Sequence, residues 1–338
     1  MSEGILSTVG NTPLIRLTRV FKGSQFHLFA KLEGFNPGGS AKDRPALNIL
    51  EEAMEEGTIG PGTVIVESSS GNLGIGLAQA CRYFGLRFIC VVDTKTTQQN
   101  IRILRAYGAE IDLVTESDPE TGEFLQSRID RVRTLLRTIE DSFWPNQYAS
   151  LANAGAHYKT TMREIAEKLG ELGGKVDYLF CATSTCGTLR GCAEYARDHN
   201  LGARIVAVDA VGSVIFGGRS AKRLIPGHGA SRRPELYRPD LADDLIRVTD
   251  LDCVIGCRRL MRSEAILAGG SSGGVLMAVD KVRQRIPPGA TCVAIFHDRG
   301  ERYLDTIYSD DWIEEHFSEM TSLWQSQVEV PQCMAVTF

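Results

Sequence analysis

The sequence predicts an α/β protein built as two doubly wound α/β domains with mainly parallel sheets. Short β-branched runs alternate with helical stretches from residue 60 onward, which is the pattern of βαβ units. A chain of 338 residues also exceeds what one ordinary core accommodates. Finally, glycine- and hydroxyl-rich segments recur where a strand meets a helix, the place where open α/β sheets hold ligands.

Taken in order, residues 26–32 read as a strand, ended by Pro37, Gly38 and Gly39. Ser40 can cap the next helix and Pro45 suits its first turn. Residues 63–67 then read as strand, 73–84 as helix, 87–92 as strand and 98–107 as helix. The pair repeats at 111–114 and 124–139. A helix near 158–169 leads to a strand at 177–182, a helix at 187–199 and a strand at 204–209. Residues 258–267 read as helix, as do residues near 274–285, and 292–297 form the last strand. Pro, Gly and Arg fill 212–239 with little periodicity, which marks a long functional loop.

Composition narrows the function. A net charge of −5 without basic, aromatic-laced stripes gives nucleic acid no footing. The opening Met-Ser-Glu-Gly-Ile-Leu lacks the features of a secretory signal, and no apolar run reaches membrane-spanning length. Nine cysteines then read as reduced thiols in a cytoplasmic protein. Cys181, Cys186 and Cys192, or Cys253 and Cys257, lack zinc-ribbon spacing and a well-placed histidine pair. No metal is expected, and these cysteines are assigned to the core.

Four segments carry chemistry. Asn36-Pro-Gly-Gly-Ser-Ala-Lys42-Asp-Arg44 sets one lysine at a helix start, where partial burial lowers its pKa and suits it to a Schiff base. A solvated helix start is the competing reading. Glu67-Ser-Ser-Ser-Gly-Asn-Leu-Gly74 opens a helix with hydroxyls and free amides that attract a carboxylate. Thr183-Ser-Thr-Cys-Gly-Thr188 makes a phosphate nest without a Walker lysine. Gly269-Gly-Ser-Ser-Gly273 formally matches G-x-S-x-G, but helix rather than strand precedes it, so a nucleophile elbow is not expected. Gly71-Asn-Leu-Gly-Ile-Gly76 has the wrong glycine order for a dinucleotide fingerprint.

Together these segments resemble the fold-type II pyridoxal-phosphate enzymes, the cysteine synthase and cystathionine β-synthase group with a tryptophan-synthase-β-like fold. The resemblance runs from Gly10-Asn-Thr-Pro-Leu14 to Gly300-Glu-Arg-Tyr-Leu304. It implies pyridoxal 5′-phosphate as cofactor, with Lys42 as the Schiff-base lysine and Asn72 contacting the ring oxygen. Ser184, Thr185, Cys186, Gly187 and Thr188 would hold its phosphate, and Ser271 its pyridine nitrogen. A serine there leaves the ring a weaker electron sink, which suits elimination. Ser69, Ser70, Gly71 and Gln147 would orient the substrate α-carboxylate, with Leu73 giving shape. The resemblance further implies a homodimer. It divides the chain into a larger domain (1–40 with 150–317), a smaller mobile domain (41–149) and a tail (318–338).

The departures point to a branch. Cysteine synthases generally carry Thr at Leu73, Gly at Ser184 and Cys186, and Phe at Tyr148. Segments 144–148, 208–217, 226–234 and 297–303 look instead like the N-(2-amino-2-carboxyethyl)-L-glutamate synthases of 2,3-diaminopropionate and siderophore biosynthesis. That branch implies β-replacement of O-phospho-L-serine by L-glutamate through an aminoacrylate. Two carboxylate substrates call for arginine. Arg128, Arg219 and Arg232 are the candidates, with Arg128 favoured for glutamate beside Tyr148 and Ser184. The alternatives are cysteine synthesis from O-acetyl- or O-phosphoserine and sulfide, and a catalytically silent binding or regulatory relative.

Overall fold

The structure is a computed structural model that describes residues 3–117 and 124–318. All of the expected tail except Ser318 lies outside the described residues. The elements run β1 (Leu14–Leu17), β2 (His27–Leu32), α1 (Asp43–Glu55), β3 (Val64–Ser68), α2 (Asn72–Phe84), β4 (Arg87–Asp93) and α3 (Gln98–Ala106). They continue with β5 (Glu110–Val114), α4 (Leu125–Thr138), β6 (Ser142–Phe143), α5 (Leu151–Ala156), α6 (Arg163–Glu171), β7 (Tyr178–Ala182) and α7 (Gly187–Asp198). The last are β8 (Arg204–Ala210), β9 (Asp244–Val248), α8 (Asp250–Glu264), α9 (Gly270–Val282), β10 (Thr291–Phe296) and α10 (Asp310–Phe317).

Two sheets result, in the order β1-β2-β10-β7-β8-β9 and β5-β4-β3-β6. Every pairing is parallel except β1 with β2. Helices cover both faces, so the inner strands are apolar on both sides and read as continuous runs. β3 is buried throughout, and so is β10 after Thr291. Around the larger sheet, α8 and α9 close one core while α6 and α7 close the other. Around the smaller sheet, α1, α2 and α3 pack on one face and α4 on the other. Each fully buried Leu, Ile or Val contributes about 1.5–3 kcal/mol.

Where expectation and structure differ, exposure is the reason. β1, β6 and β9 are short edge or near-edge strands whose residues are largely half-buried or exposed, so they show no apolar run. The helix expected near 158–169 is α5 and α6 joined by a π-helical turn, His157–Met162. The helix expected at 258–267 begins earlier, at Asp250, behind a capping box formed by Thr249 and Asp252. α9 starts at Gly270, which brings Ser271 into its first turn. The loop 212–239 holds no helix or strand.

A buried ionic cluster fixes the start of α1. Arg44 Nε lies 2.6 Å from Glu33 Oε2, and its Nη1 lies 2.6 Å from Glu164 Oε1. Lys31 Nζ reaches the other Glu164 oxygen at 2.6 Å. Burial opposes the charge on Glu33, yet Arg44, Lys31 and Thr12 hold its carboxyl down at about 2. The residue two places before Arg44 is Lys42, so this cluster pins the lysine between β2 and α6.

Candidate active site

The C-terminal ends of β3, β7 and β10 open on one cleft of about 570 Å³. Its walls include Lys42, Ser69, Ser70, Gly71, Asn72, Leu73, Arg128, Gln147, Tyr148, Ser184, Thr185, Cys186, Gly187, Thr188 and Ser271. Fifteen residues singled out in the sequence therefore meet in one place. Arg219 and Arg232 do not join them; both side chains are exposed on the loop and line no part of the cleft.

Lys42 is the N-cap residue of α1, and its amine has no hydrogen-bond partner among the described residues. Burial lowers its pKa, against the fields of Cys181, Cys186 and Asp298, which raise it. The balance moves the amine toward its uncharged, nucleophilic form.

Across the cleft, the first turn of α7 presents amides that no intrahelical carbonyl can accept from. Cys186 precedes it as N-cap with φ 65°, a left-handed position that glycine would occupy without strain. Asn153 sits fully buried behind this loop and donates to the Gln147 carbonyl at 2.7 Å and to Thr185 Oγ1 at 3.2 Å. A Cβ on Gly187 would overlap that amide, so only glycine fits there. His157 hydrogen-bonds Thr188 Oγ1 at 3.1 Å and Thr161 Oγ1 at 2.9 Å. Burial, with Lys42 and Arg44 nearby, keeps this imidazole neutral.

Under the carboxylate-attracting loop lies Glu67, 2% exposed at the end of β3. Its carboxylate accepts from the Ser68 amide at 2.7 Å, from Trp144 Nε1 at 3.0 Å and from the Gln147 amide at 3.3 Å. Burial pushes its pKa up to about 7, despite those donors. Asn72 donates to Asp298 Oδ2 at 2.8 Å and accepts from Arg302, which also donates to the Gly38 carbonyl. Tyr303 donates to the same Asp298 oxygen at 2.6 Å. The α2 start is thereby tied to the segment after β10.

The donor set suits pyridoxal phosphate. A buried amine shifted toward its uncharged form, an amide-and-hydroxyl nest free of lysine and arginine, and the neutral hydroxyl of Ser271 match an aldehyde, a phosphate monoester and a ring nitrogen. Five buried polar atoms of residues that line the cleft, Ser68 Oγ, Asn100 Oδ1, Arg128 Nε, His297 Nδ1 and Asp298 Oδ1, lack a hydrogen-bond partner, as expected where a polar molecule completes a site.

The sequence did not single out Glu67 in a role of its own, nor Asn153, His157, Arg223, Asp298 or Arg302. Asp298 and Arg302 lie in the 297–303 segment quoted for the branch, so a signal existed for them. Asn153 and His157 carried none. The eight cysteines of the described residues are all free and buried, and no group of three or more His, Cys, Asp or Glu there could hold a metal ion. No helix of the described residues is long and apolar enough to cross a membrane.

The pyridoxal-phosphate-dependent enzyme family model matches residues 5–298. N-(2-amino-2-carboxyethyl)-L-glutamate synthase of Ralstonia nicotianae is 47% identical over 313 residues, covering 93% of this chain and 91% of that one. The protein of that name from Cupriavidus metallidurans is also 47% identical, over 314 residues, with 92% and 91% covered. Among solved structures, cysteine synthase of Entamoeba histolytica superposes with a TM-score of 0.85 at 30% identity, covering 97% and 96% of the two chains. The O-acetylserine-dependent cystathionine β-synthase of Helicobacter pylori gives 0.83 at 30% identity, with 91% and 99% covered.

Proposed function

The chain belongs to the pyridoxal-phosphate-dependent enzyme family and is a β-replacement synthase using that cofactor; we propose that it joins O-phospho-L-serine to L-glutamate, releasing phosphate and N-(2-amino-2-carboxyethyl)-L-glutamate. The observation that carries this reading is the 47% identity to two synthases of that name over more than nine-tenths of the chain. The cationic side chains along the cleft, Lys95, Arg128, Arg223 and Arg302, agree with substrates that bring several anionic groups.

In this reading Lys42 holds the cofactor, Ser184 to Thr188 its phosphate, Asn72 its ring oxygen and Ser271 its ring nitrogen. Bound pyridoxal phosphate supplies an electron-accepting ring that acidifies the substrate Cα–H. Lys42 Nζ, once the substrate amine has replaced it on the cofactor, would accept that proton and later return it. The Ser69 to Asn72 loop and Gln147 orient the α-carboxylate, held in register by Glu67 from below. Tyr148, Ser184 and Arg128 face the phosphate leaving group and the incoming amine. Arg128 reaches this place with its charge already paired to Asp93 at 3.2 Å. The smaller unit, 41–149, moves against 1–40 with 150–317 to close the cleft, and the chain works as a cytoplasmic homodimer.

The test is phosphate release from O-phospho-L-serine by the cofactor-loaded chain, with L-glutamate, sulfide or no nucleophile added. Release coupled to L-glutamate consumption is expected. Turnover with sulfide and none with glutamate would make the chain a cysteine synthase instead.

A further inference from the structure

We infer that Arg223 forms the carboxylate subsite of the amine-donating second substrate at the mouth of the cleft. The inference rests on the reaction proposed above and adds the residue that selects its nucleophile. Three arginines line the cleft, and their partners separate them. Arg128 is paired with Asp93. Arg302 is engaged by the Gly38 carbonyl and the Asn72 side chain. Arg223 has no carboxylate partner among the described residues. Its Nη1 donates to the Gly212 carbonyl at 2.6 Å, with only a longer contact to the Ala221 carbonyl at 3.5 Å, so Nε and Nη2 remain available to a ligand. A guanidinium anchored at one corner is a preorganised fork for a planar carboxylate.

Its position assigns it to the second substrate rather than the first. Arg223 belongs to the loop between β8 and β9 of the larger sheet, whereas the Ser69–Asn72 loop, which receives the first α-carboxylate in the proposed reading, follows β3 of the smaller sheet. Its neighbours Ala221 and Lys222 are exposed, which places it at the outer rim. It is also close enough to Tyr148 and His228 for its charge to act on both. The second substrate enters when the first is already held at the base, so its anionic groups meet the rim. A sulfide-using enzyme has no need of a cation there, whereas an amine that carries a carboxylate does.

The test is steady-state phosphate release by the cofactor-loaded full chain, varying L-glutamate at saturating O-phospho-L-serine and then the reverse. Arg223→Ala removes the fork. Arg223→Gln removes the charge but keeps a side-chain amide able to donate to Gly212, so a loop that merely unfolds is told apart from a lost subsite. Lys222→Ala, exposed and outside the cleft, controls for net charge. Both Arg223 variants are expected to raise KM for glutamate at least about tenfold, the scale of a lost hydrogen bond to a charged group, while KM for phosphoserine stays within about twofold. An equal rise in both KM values, or no change in either, would overturn the assignment. A wild-type chain that releases phosphate without consuming glutamate would overturn the reaction itself, and this subsite with it.

Discussion

Replacing Glu67 by glutamine isolates one buried charge whose effect on stability can be worked out in advance. The carboxyl is 2% exposed, and burial raises its pKa from the ordinary 4.5 to about 7 although three N–H groups point at it. One pKa step is about 1.36 kcal/mol, so the rise corresponds to about 3 kcal/mol. Between pH 4.5 and 7 the folded chain keeps a proton that the unfolded chain has released. Stability from this group is therefore complete below about 4.5 and is lost as pH climbs through 7. Glutamine cannot titrate. The unfolding free energy of Glu67→Gln minus that of wild type should climb by about 2–3 kcal/mol between pH 5 and 8, whatever its starting offset. That offset is set by the amide group, which turns a donor toward Trp144 or the Gln147 amide and loses a bond at every pH. Urea unfolding of both proteins at matched pH values, with cofactor held constant, reads the difference. A difference that stays flat across this range would refute the reasoning, because the three donors would then outweigh burial and Glu67 would be charged throughout.

Three further outcomes follow from the geometry. Lys42→Ala should abolish the visible absorbance of tightly bound cofactor, and a variant as yellow as wild type after dialysis would remove Lys42 from its role. Gly187→Ala forces a methyl into the Asn153 amide, so cofactor affinity by fluorescence titration should weaken at least about tenfold with overpacking strain of about 1–3 kcal/mol; unaltered affinity would mean that Asn153 moves aside freely. Arg44→Ala leaves Glu33 and Glu164 without their shared partner, at a cost of about 3–5 kcal/mol in urea unfolding, and a loss below about 1 kcal/mol would show that water reaches the cluster.

The sequence carried the inner strands and the cleft-facing loops because both obey local rules. Val64 to Val66 and Cys292 to Phe296 are apolar on consecutive residues since helices cover both faces of their sheets. Lys42, the Ser69–Asn72 loop, the Ser184–Thr188 loop and Ser271 are read from glycine and hydroxyl spacing at strand-to-helix junctions. Edge strands such as Asp244–Val248 escaped because half-exposed residues need no apolar run. The arginines escaped for another reason. In a loop without periodicity nothing local tells Arg219, Arg223 and Arg232 apart, and only the path of 212–239 over the cleft turns Arg223 inward. Asn153 and Glu67 act through bonds to Gln147, 6 and 80 residues away in sequence, which no window-based pattern contains.

The buried thiols make the chain its own reporter of opening. Cys81 and Cys90 lie in the core of the smaller sheet, and Cys253, Cys257 and Cys292 in that of the larger. Burial pushes each of these thiols upward, to about 12 in Cys81 and Cys90, so none reacts from the closed state. A thiol reagent under native conditions therefore modifies these five only in molecules that have breathed. The order in which the two sets of cysteines are modified would time the opening of one sheet against the other without a single engineered label.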